Sequence, residues 1–396
     1  MSADNPAANA VERPSSRHIA SLDGYRGIAF LLVFLRHYTL TRHAHAPIFL
    51  AIMHVSAAGW AGVDLFFVLS GFLITGILLD TRSDPHYFRN FIMRRALRIF
   101  PLYYTVLFVM LALTPLLHLQ WHRGHILYFF YLGNVAANIN PSLQAVFPYF
   151  SFLHLWSLSM EEQFYLLWPL AIYLAATPRR VVRLCLGLSV FALLVRIALL
   201  HWLPEGRAVE WCSAELPARM DGLLYGAIAA VLVRRFSIER LVPPARWLLS
   251  VATILLAVMY FRIGANFNNA VTSLVGYPLL ALFFSSLIVL ALEPNSLIAR
   301  FGRLSPLRLL GRYSYGLYVY HLIAGFALGN LLSWIQLRTH SIVIGGLLFT
   351  FAVFFGSLMM AVASYELYER RFLRLKRYFP YGHATPAAAG AAVTTT

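Results

Sequence analysis

The sequence predicts an all-α fold, a polytopic transmembrane bundle of about ten helices with both chain termini in the cytoplasm. Three observations carry that expectation. Hydrophobic residues fill 60% of the 396 positions and charged ones only 12%, whereas a soluble domain is typically about 25% charged, so the composition points to lipid as the solvent. Several apolar runs exceed the ~18 residues that mark a spanning helix. The basic residues collect in alternate loops, as positive-inside orientation requires.

Residues 1–20 are rich in Ala, Pro and Ser and carry Arg13 and Arg17. No apolar core with a small-residue cleavage site comes after them at signal-peptide length, so they read as a flexible cytoplasmic tail. Ser21 and Asp23 offer capping oxygens ahead of the first span. The predicted spans are 24–41, 59–79, 99–118, 160–177, 181–202, 218–233, 247–263, 271–292, 313–334 and 342–365. Residues 21–378 form one membrane domain, and the Ala/Thr/Gly-rich stretch 379–396 is expected to be disordered. No internal repeat and no second globular domain is apparent.

The loops then sort by charge. One set holds Arg82, Arg89, Arg94, Arg95 and Arg98, then Arg179, Arg180 and Arg183, then Arg234, Arg235, Arg240 and Arg246. It continues through Arg300, Arg303, Arg308 and Arg312 to Arg370, Arg371, Arg374, Lys376 and Arg377. The opposite set has only Arg42, Arg123, Arg207, Arg219, Arg262 and Arg338. That asymmetry requires an even number of crossings. It also accounts for the net charge of +16 without nucleic acid as a partner.

Residues 119–159 break the pattern. Residues 125–131 are apolar but too short to span, and Asn134, Asn138, Asn140, Pro141 and Pro148 interrupt the stretch after them. A re-entrant or outer-face segment is expected here, which is tolerated only where it lines protein or a cavity. An extra pair of crossings would preserve the parity. Cys185 in an apolar run and Cys212 in a polar loop give neither a disulfide framework nor a metal spacing.

Ionisable groups inside such spans are the candidates for function. Arg26 and His37 lie eleven residues apart, about three whole turns, so they share one helix face roughly 16 Å apart along its axis. A snorkelling arginine and a satisfied core histidine would fit the same spacing. Asp64 opens the second span at about the depth of His37, where a carboxylate can fix a histidine tautomer or pair with an arginine instead. Ser70 and Gly71 fit close helix packing. Arg94, Arg95 and Arg98 stack at one helix mouth, serving either topology or a polyphosphate. Glu161 and Glu162 are adjacent acids at the start of another span, with Tyr165 just beyond, and a helix N-terminus accounts for one of them. Arg219 and Asp221 are an internal ion pair or a site pair. His321 lies about a dozen ångströms into a span, from eight steps of 1.5 Å, and Arg196 has no evident partner.

Taken together these stretches resemble the acyltransferase family 3 membrane proteins, bacterial enzymes that move acyl groups onto sugars and related acceptors. The residues that carry the resemblance are Leu22–Ala29 with His37, Gly62–Ile74, Arg95–Pro101, Trp156–Tyr165, Ser314–His321 and Tyr365–Phe372. They keep the family order over roughly residues 20–375. The resemblance implies an acyl-CoA donor in the cytoplasm, usually acetyl-CoA, and a carbohydrate or glycoconjugate acceptor at the membrane or its outer face. It maps the family's Arg-x10-His pattern onto Arg26 and His37, its Arg-x-x-Arg onto Arg95 and Arg98, and its Glu-x-x-Tyr onto Glu162 and Tyr165.

The resemblance and the spacing together give an expected site. Arg94, Arg95 and Arg98 hold the coenzyme phosphates with Arg26 along the route. His37, oriented by Asp64 or Glu162, is the general base or a transient acyl carrier. Tyr165, Arg219 or His321 faces the developing oxyanion, Asp221 sits beside Arg219, and no metal is called for. The implied setting is the bacterial inner membrane, with O-acetylation of an envelope polysaccharide as the task. Many relatives carry an esterase-like domain after the last span that is not evident here, so acceptor selection is expected in the membrane domain or a separate partner. A proton-coupled transporter of an anionic solute is the rival reading, and the two related halves that would favour it are not found.

Overall fold

The computed structural model describes residues 19–38, 56–147, 150–264 and 269–381. Most of both expected tails, and Arg42, lie outside the described residues. Helix α1 spans Ala20–Tyr38. It begins before Ser21 and Asp23, so neither caps it: Asp23 sits in the first turn, where the helix dipole favours an acid, and Ser21 Oγ donates to the Ala291 carbonyl at 2.8 Å. Next come α2 (Ala61–Asp80) and α3 (Tyr87–Ala112), which accommodates Pro101 in its interior.

Among the described residues of the ambiguous stretch no helix is long and apolar enough to cross a membrane. The stretch folds into 3-10 turns at Arg123–Phe130 and Pro141–Gln144, a two-turn helix at Gly133–Ile139, and a small antiparallel hairpin of β1 (Ala145–Phe147) and β2 (Phe150–Ser151). Beyond the hairpin lie α4 (Leu155–Ala175) and α5 (Pro178–Trp202). Thr177 caps α5 by accepting from the Arg180 amide, with proline at the first helical position, where its missing N–H costs nothing. Cys212 lies not in a loop but in α6 (Glu205–Ala214), and both cysteines are buried and free.

The remainder is α7 (Asp221–Arg235), α8 (Ile238–Ile263), α9 (Tyr277–Ala291), α10 (Ser305–Arg312), α11 (Ser314–Ala327), α12 (Gly329–Thr339), α13 (Ile342–Ser364) and α14 (Arg370–Arg374). The described chain is thus helical apart from one short hairpin. Six of its helices are long and apolar enough to cross a membrane, and a seventh is counted if the pair α11–α12, bent by 55°, is one span. Several of the other expected spans are shorter or carry charge. Helix α7 has 15 residues, and α1 carries Asp23, Arg26 and Arg36 within 19.

Apolar side chains point outward on α5, α8 and α13, where Leu194, Phe261 and Met359 are exposed. The charges of Asp64, Arg196, Arg219 and Asp221 are instead buried, as expected of a fold whose surroundings are hydrocarbon. An extended apolar cluster joins α1, α2, α3, α4, α7 and α11 through Val33, Phe67, Tyr103, Trp168, Leu223 and Tyr318. Helices α2 and α7 cross closely enough that a Cβ at Gly71 would lie 1.9 Å from the Leu223 carbonyl oxygen, and one at Gly226 2.1 Å from that of Val68. Small residues allow backbones this close. Gly71→Val is therefore expected to cost at least about 1–3 kcal/mol of overpacking, read as a lowered unfolding temperature of the purified protein; an unchanged midpoint would contradict the contact.

Two ties fix which helix ends lie together. Arg82, after α2, donates to the carbonyls of Tyr173 and Ala176 at the end of α4. Arg234, at the end of α7, is paired with Asp80 at 2.7 Å. These ties define one end of the bundle, rich in arginine: the basic end.

Candidate functional site

A cavity open on one side lies among α1, α2, α3, α4 and α11. Arg26, Arg95 and Arg98 line its basic end, with Ser70, Glu161 and Tyr165 along the wall and Ser157 and Tyr318 among its other lining residues. Among the described residues none of the three arginines forms an ion pair with a carboxylate.

The wall is an ordered hydrogen-bond chain. Ser70 Oγ donates to Glu161 Oε1 at 2.6 Å and lies 2.8 Å from the Tyr165 hydroxyl. A serine hydroxyl has one hydrogen, so Tyr165 donates to Ser70, which donates to Glu161. Trp168 Nε1 donates to Thr75 Oγ1 at 2.8 Å and locks α4 against α2 beside this chain.

Tyr318, which lines the cavity, contacts two of three clustered histidines. Its hydroxyl lies 2.6 Å from Ser157 Oγ and donates to the His154 carbonyl at 2.9 Å, while its own carbonyl faces His321 Nδ1 at 2.6 Å. The His321 ring centre lies 5.1 Å from that of His37 and 5.4 Å from that of His154. His37 Nδ1 is 2.9 Å from the Val33 carbonyl. Carbonyl oxygens only accept, so the neutral rings of His37 and His321 carry their proton on Nδ1 and present an Nε2 lone pair. His37 is exposed on one side, whereas His154 and His321 are buried. Among the described residues His321 Nε2 and both ring nitrogens of His154 lack a hydrogen-bond partner, an unusual state for buried polar atoms. Among the described residues no group of three His, Cys, Asp or Glu side chains is arranged to hold a metal ion.

A family model described as an acyltransferase domain, Acyl_transf_3, matches residues 19–366. The chain belongs to the acyltransferase 3 family. It is 28% identical over 326 residues to the O-acetyltransferase OatA of Staphylococcus aureus, covering 78% of this chain and 50% of that protein. It is 27% identical over 325 residues to the peptidoglycan O-acetyltransferase OatA of Listeria monocytogenes, again covering 78% and 50%. A putative O-acetyltransferase of Staphylococcus aureus is 28% identical over 326 residues, 77% of this chain and 50% of the relative. The chain thus spans about half the length of the curated relatives it matches. No solved structure matches it.

Within this family member the structure gathers some of the residues singled out by the sequence and separates others. Arg26, Arg95, Arg98 and Tyr165 share the cavity, and His37 and His321 share the histidine cluster. His37 does not line the cavity; it is reached through His321, which Tyr318 holds. Four expectations are corrected. Asp64 does not orient His37, because its Oδ2 accepts from Arg219 at 2.9 Å, and the guanidinium of Arg219 covers the Tyr277 ring at 3.3 Å from its centre. Asp221 does not pair with Arg219 but with Arg196, the arginine that had no evident partner. Both pairs are buried, so Arg219 and Asp221 are committed to other side chains. Glu162 is not on the cavity wall: Glu161 is, and Glu162 Oε1 is buried without a hydrogen-bond partner among the described residues. Arg94 turns away to the C-terminal segment, donating to the carbonyls of Lys376 and Phe379.

Sequence reasoning missed Glu161, Ser70 and His154. Helical phase was the available signal for the first, since Glu161, Tyr165 and Trp168 stand at i, i+4, i+7 on one face. Ser70 was assigned to packing because its neighbour Gly71 packs. His154 precedes α4, where no periodicity marks it.

Proposed function

We propose that this chain is an O-acyltransferase of the bacterial inner membrane, moving an acetyl group from acetyl-CoA to a hydroxyl of an envelope carbohydrate. The observation that supports it best is the cavity itself, with three arginines at one end that carry no carboxylate partner among the described residues, and the imidazole cluster beside the other. In this reading the helices make ten crossings, with the basic end and both termini in the cytoplasm, and residues 21–378 act as one domain. The name of the relative from Listeria monocytogenes makes peptidoglycan the first acceptor to try.

Arg26, Arg95 and Arg98 grip the coenzyme phosphates, to which a guanidinium offers matched pairs of donors. The thioester arm runs along the wall of Ser70, Glu161 and Tyr165 toward Tyr318. The acceptor approaches the exposed face of His37. His37 Nε2 takes the hydroxyl proton as the oxygen attacks the thioester carbonyl. The C–O bond forms, the C–S bond breaks, and the proton passes to the departing thiolate, giving ester and free coenzyme A. The Val33 carbonyl holds the tautomer this step needs, the task first assigned to Asp64.

The test is release of free thiol from acetyl-CoA by the protein in nanodiscs, supplied with peptidoglycan fragments. Arg98→Ala should raise KM for acetyl-CoA about 10- to 100-fold, from the roughly 1.5–3 kcal/mol of a hydrogen bond to a charged group, with little change in kcat. Wild-type protein that releases no thiol with any carbohydrate acceptor would sink the proposal.

A further inference from the structure

Of the 32 basic residues in the chain, 31 are arginine and one, Lys376, is lysine. Lys376 sits on the 3-10 turn Leu375–Tyr378 that comes after α14. That turn and the residues after it are fastened to the first turns of α3. Arg94 Nη1 donates to the carbonyls of Lys376 and Phe379, each at 3.0 Å. Asn90 Nδ2 donates to the Pro380 carbonyl at 2.8 Å. The Arg94 guanidinium also stands 4.3 Å from the centre of the Tyr381 ring, and that of Arg89 stands 5.3 Å from the centre of the Phe379 ring. The hydrogen bonds all go to main-chain carbonyls, so they fix the path of the chain and leave the Lys376 ammonium uncommitted to them.

That path sets the Lys376 main chain 3.0 Å from Arg94, on the helix that also carries Arg95 and Arg98, and so brings Lys376 within electrostatic reach of that arginine group and of Arg26. The acids facing these arginines are Asp23, Glu161, Glu162 and Glu369, equal to them in number, so Lys376 adds one cation in excess. Placing a fifth cation beside four is unfavourable by Coulomb's law unless an anion completes the set. A small second hollow, lined by Arg98, Tyr315, Glu369 and Leu373, shares Arg98 and Tyr315 with the main cavity and reaches the helix just before the strap.

We propose that Lys376 is a further phosphate-binding residue at the mouth of the cavity, delivered there by a C-terminal strap, residues 375–381, that Arg94 and Asn90 hold down. This rests on the donor reading above. Arg94, first grouped with the phosphate ligands, is a positioning residue that acts through the strap. A lysine suits the place because its compact charge on a flexible stem meets a phosphate oxygen without the planar fork that an arginine must align. The phosphate of an anionic lipid headgroup has the same chemistry, and the experiment separates the two sources.

A single lysine makes amine-selective labelling report on Lys376 alone, once peptide masses set the N-terminal amine apart. The protein is placed in nanodiscs of phosphatidylcholine, and in a parallel set containing phosphatidylglycerol, with and without free coenzyme A. Coenzyme A is expected to slow labelling of Lys376 about tenfold in phosphatidylcholine. By calorimetry Lys376→Ala should weaken coenzyme A binding about tenfold, about 1.4 kcal/mol, and Lys376→Arg should restore most of it. Arg94→Ala should match Lys376→Ala, and the double variant should be no weaker than either, since both act through one contact. Unchanged affinity in Lys376→Ala overturns the inference, as does protection that requires phosphatidylglycerol and ignores coenzyme A. If wild-type protein binds no coenzyme A, the donor reading falls as well, which is a different result from wild-type binding that Lys376→Ala leaves intact.

Discussion

His37→Ala is expected to lower acyl transfer by about 10²–10⁴-fold, the range for removing a general base, while leaving coenzyme A affinity unchanged. The split comes from where the ring sits. The His37 ring lies 5.1 Å from that of His321 and is not among the residues that line the arginine-bearing cavity, so it has no part in gripping phosphates. Its Nδ1 is held by the Val33 carbonyl, which leaves Nε2 to act on a hydroxyl. The measurement is thiol release at saturating donor and acceptor, alongside calorimetric binding of coenzyme A to the same preparation. Undiminished turnover in the variant would remove His37 from the chemistry. Loss of coenzyme A binding instead would place the ring among the donor contacts.

The second large effect is on stability. Arg219→Ala should destabilise the protein by about 3–5 kcal/mol, the cost of stranding one partner of a buried pair. Asp64 is 2% exposed and would be left without its countercharge, and the Tyr277 face would lose the cation that covers it. The informative companion is the double replacement Asp64→Leu with Arg219→Met. Replacing a whole buried pair by apolar groups of similar volume is often neutral or better, so much of the lost stability should return. Thermal unfolding in one detergent reads all three proteins. A wild-type midpoint for Arg219→Ala would contradict the burial of the pair.

Composition made the helical membrane character legible, because an apolar run needs no partner to be recognised. Boundaries and pairings were less accessible, for physical reasons. Asp64 and Arg219 are 155 residues apart in the chain. Arg196 on α5 meets Asp221 on α7, with α6 between them in the sequence. No local pattern encodes either meeting. Adjacent like residues posed a different difficulty. Glu161 and Glu162, or Arg94 and Arg95, differ by about 100° of helix rotation, so the phase of the whole helix decides which one enters the cavity. The Glu161–Tyr165–Trp168 face held that information for one pair. For Arg94 the deciding partner is the main chain of residues 376 and 379, which side-chain chemistry does not announce. Ser21 and Asp23 were misplaced because α1 starts a turn earlier, at Ala20, than its apolar run suggests.

The two ends of α1 hold different chemistry, guanidinium at Arg26 and imidazole at His37, roughly 16 Å apart along the axis. A large anionic carrier gripped at the first end would stay in its own compartment throughout. Only a small neutral fragment would make the passage, handed from sulfur to oxygen part-way through the barrier. On that arrangement, export of the acyl unit and its attachment are one event, and no ion gradient is called upon to drive it.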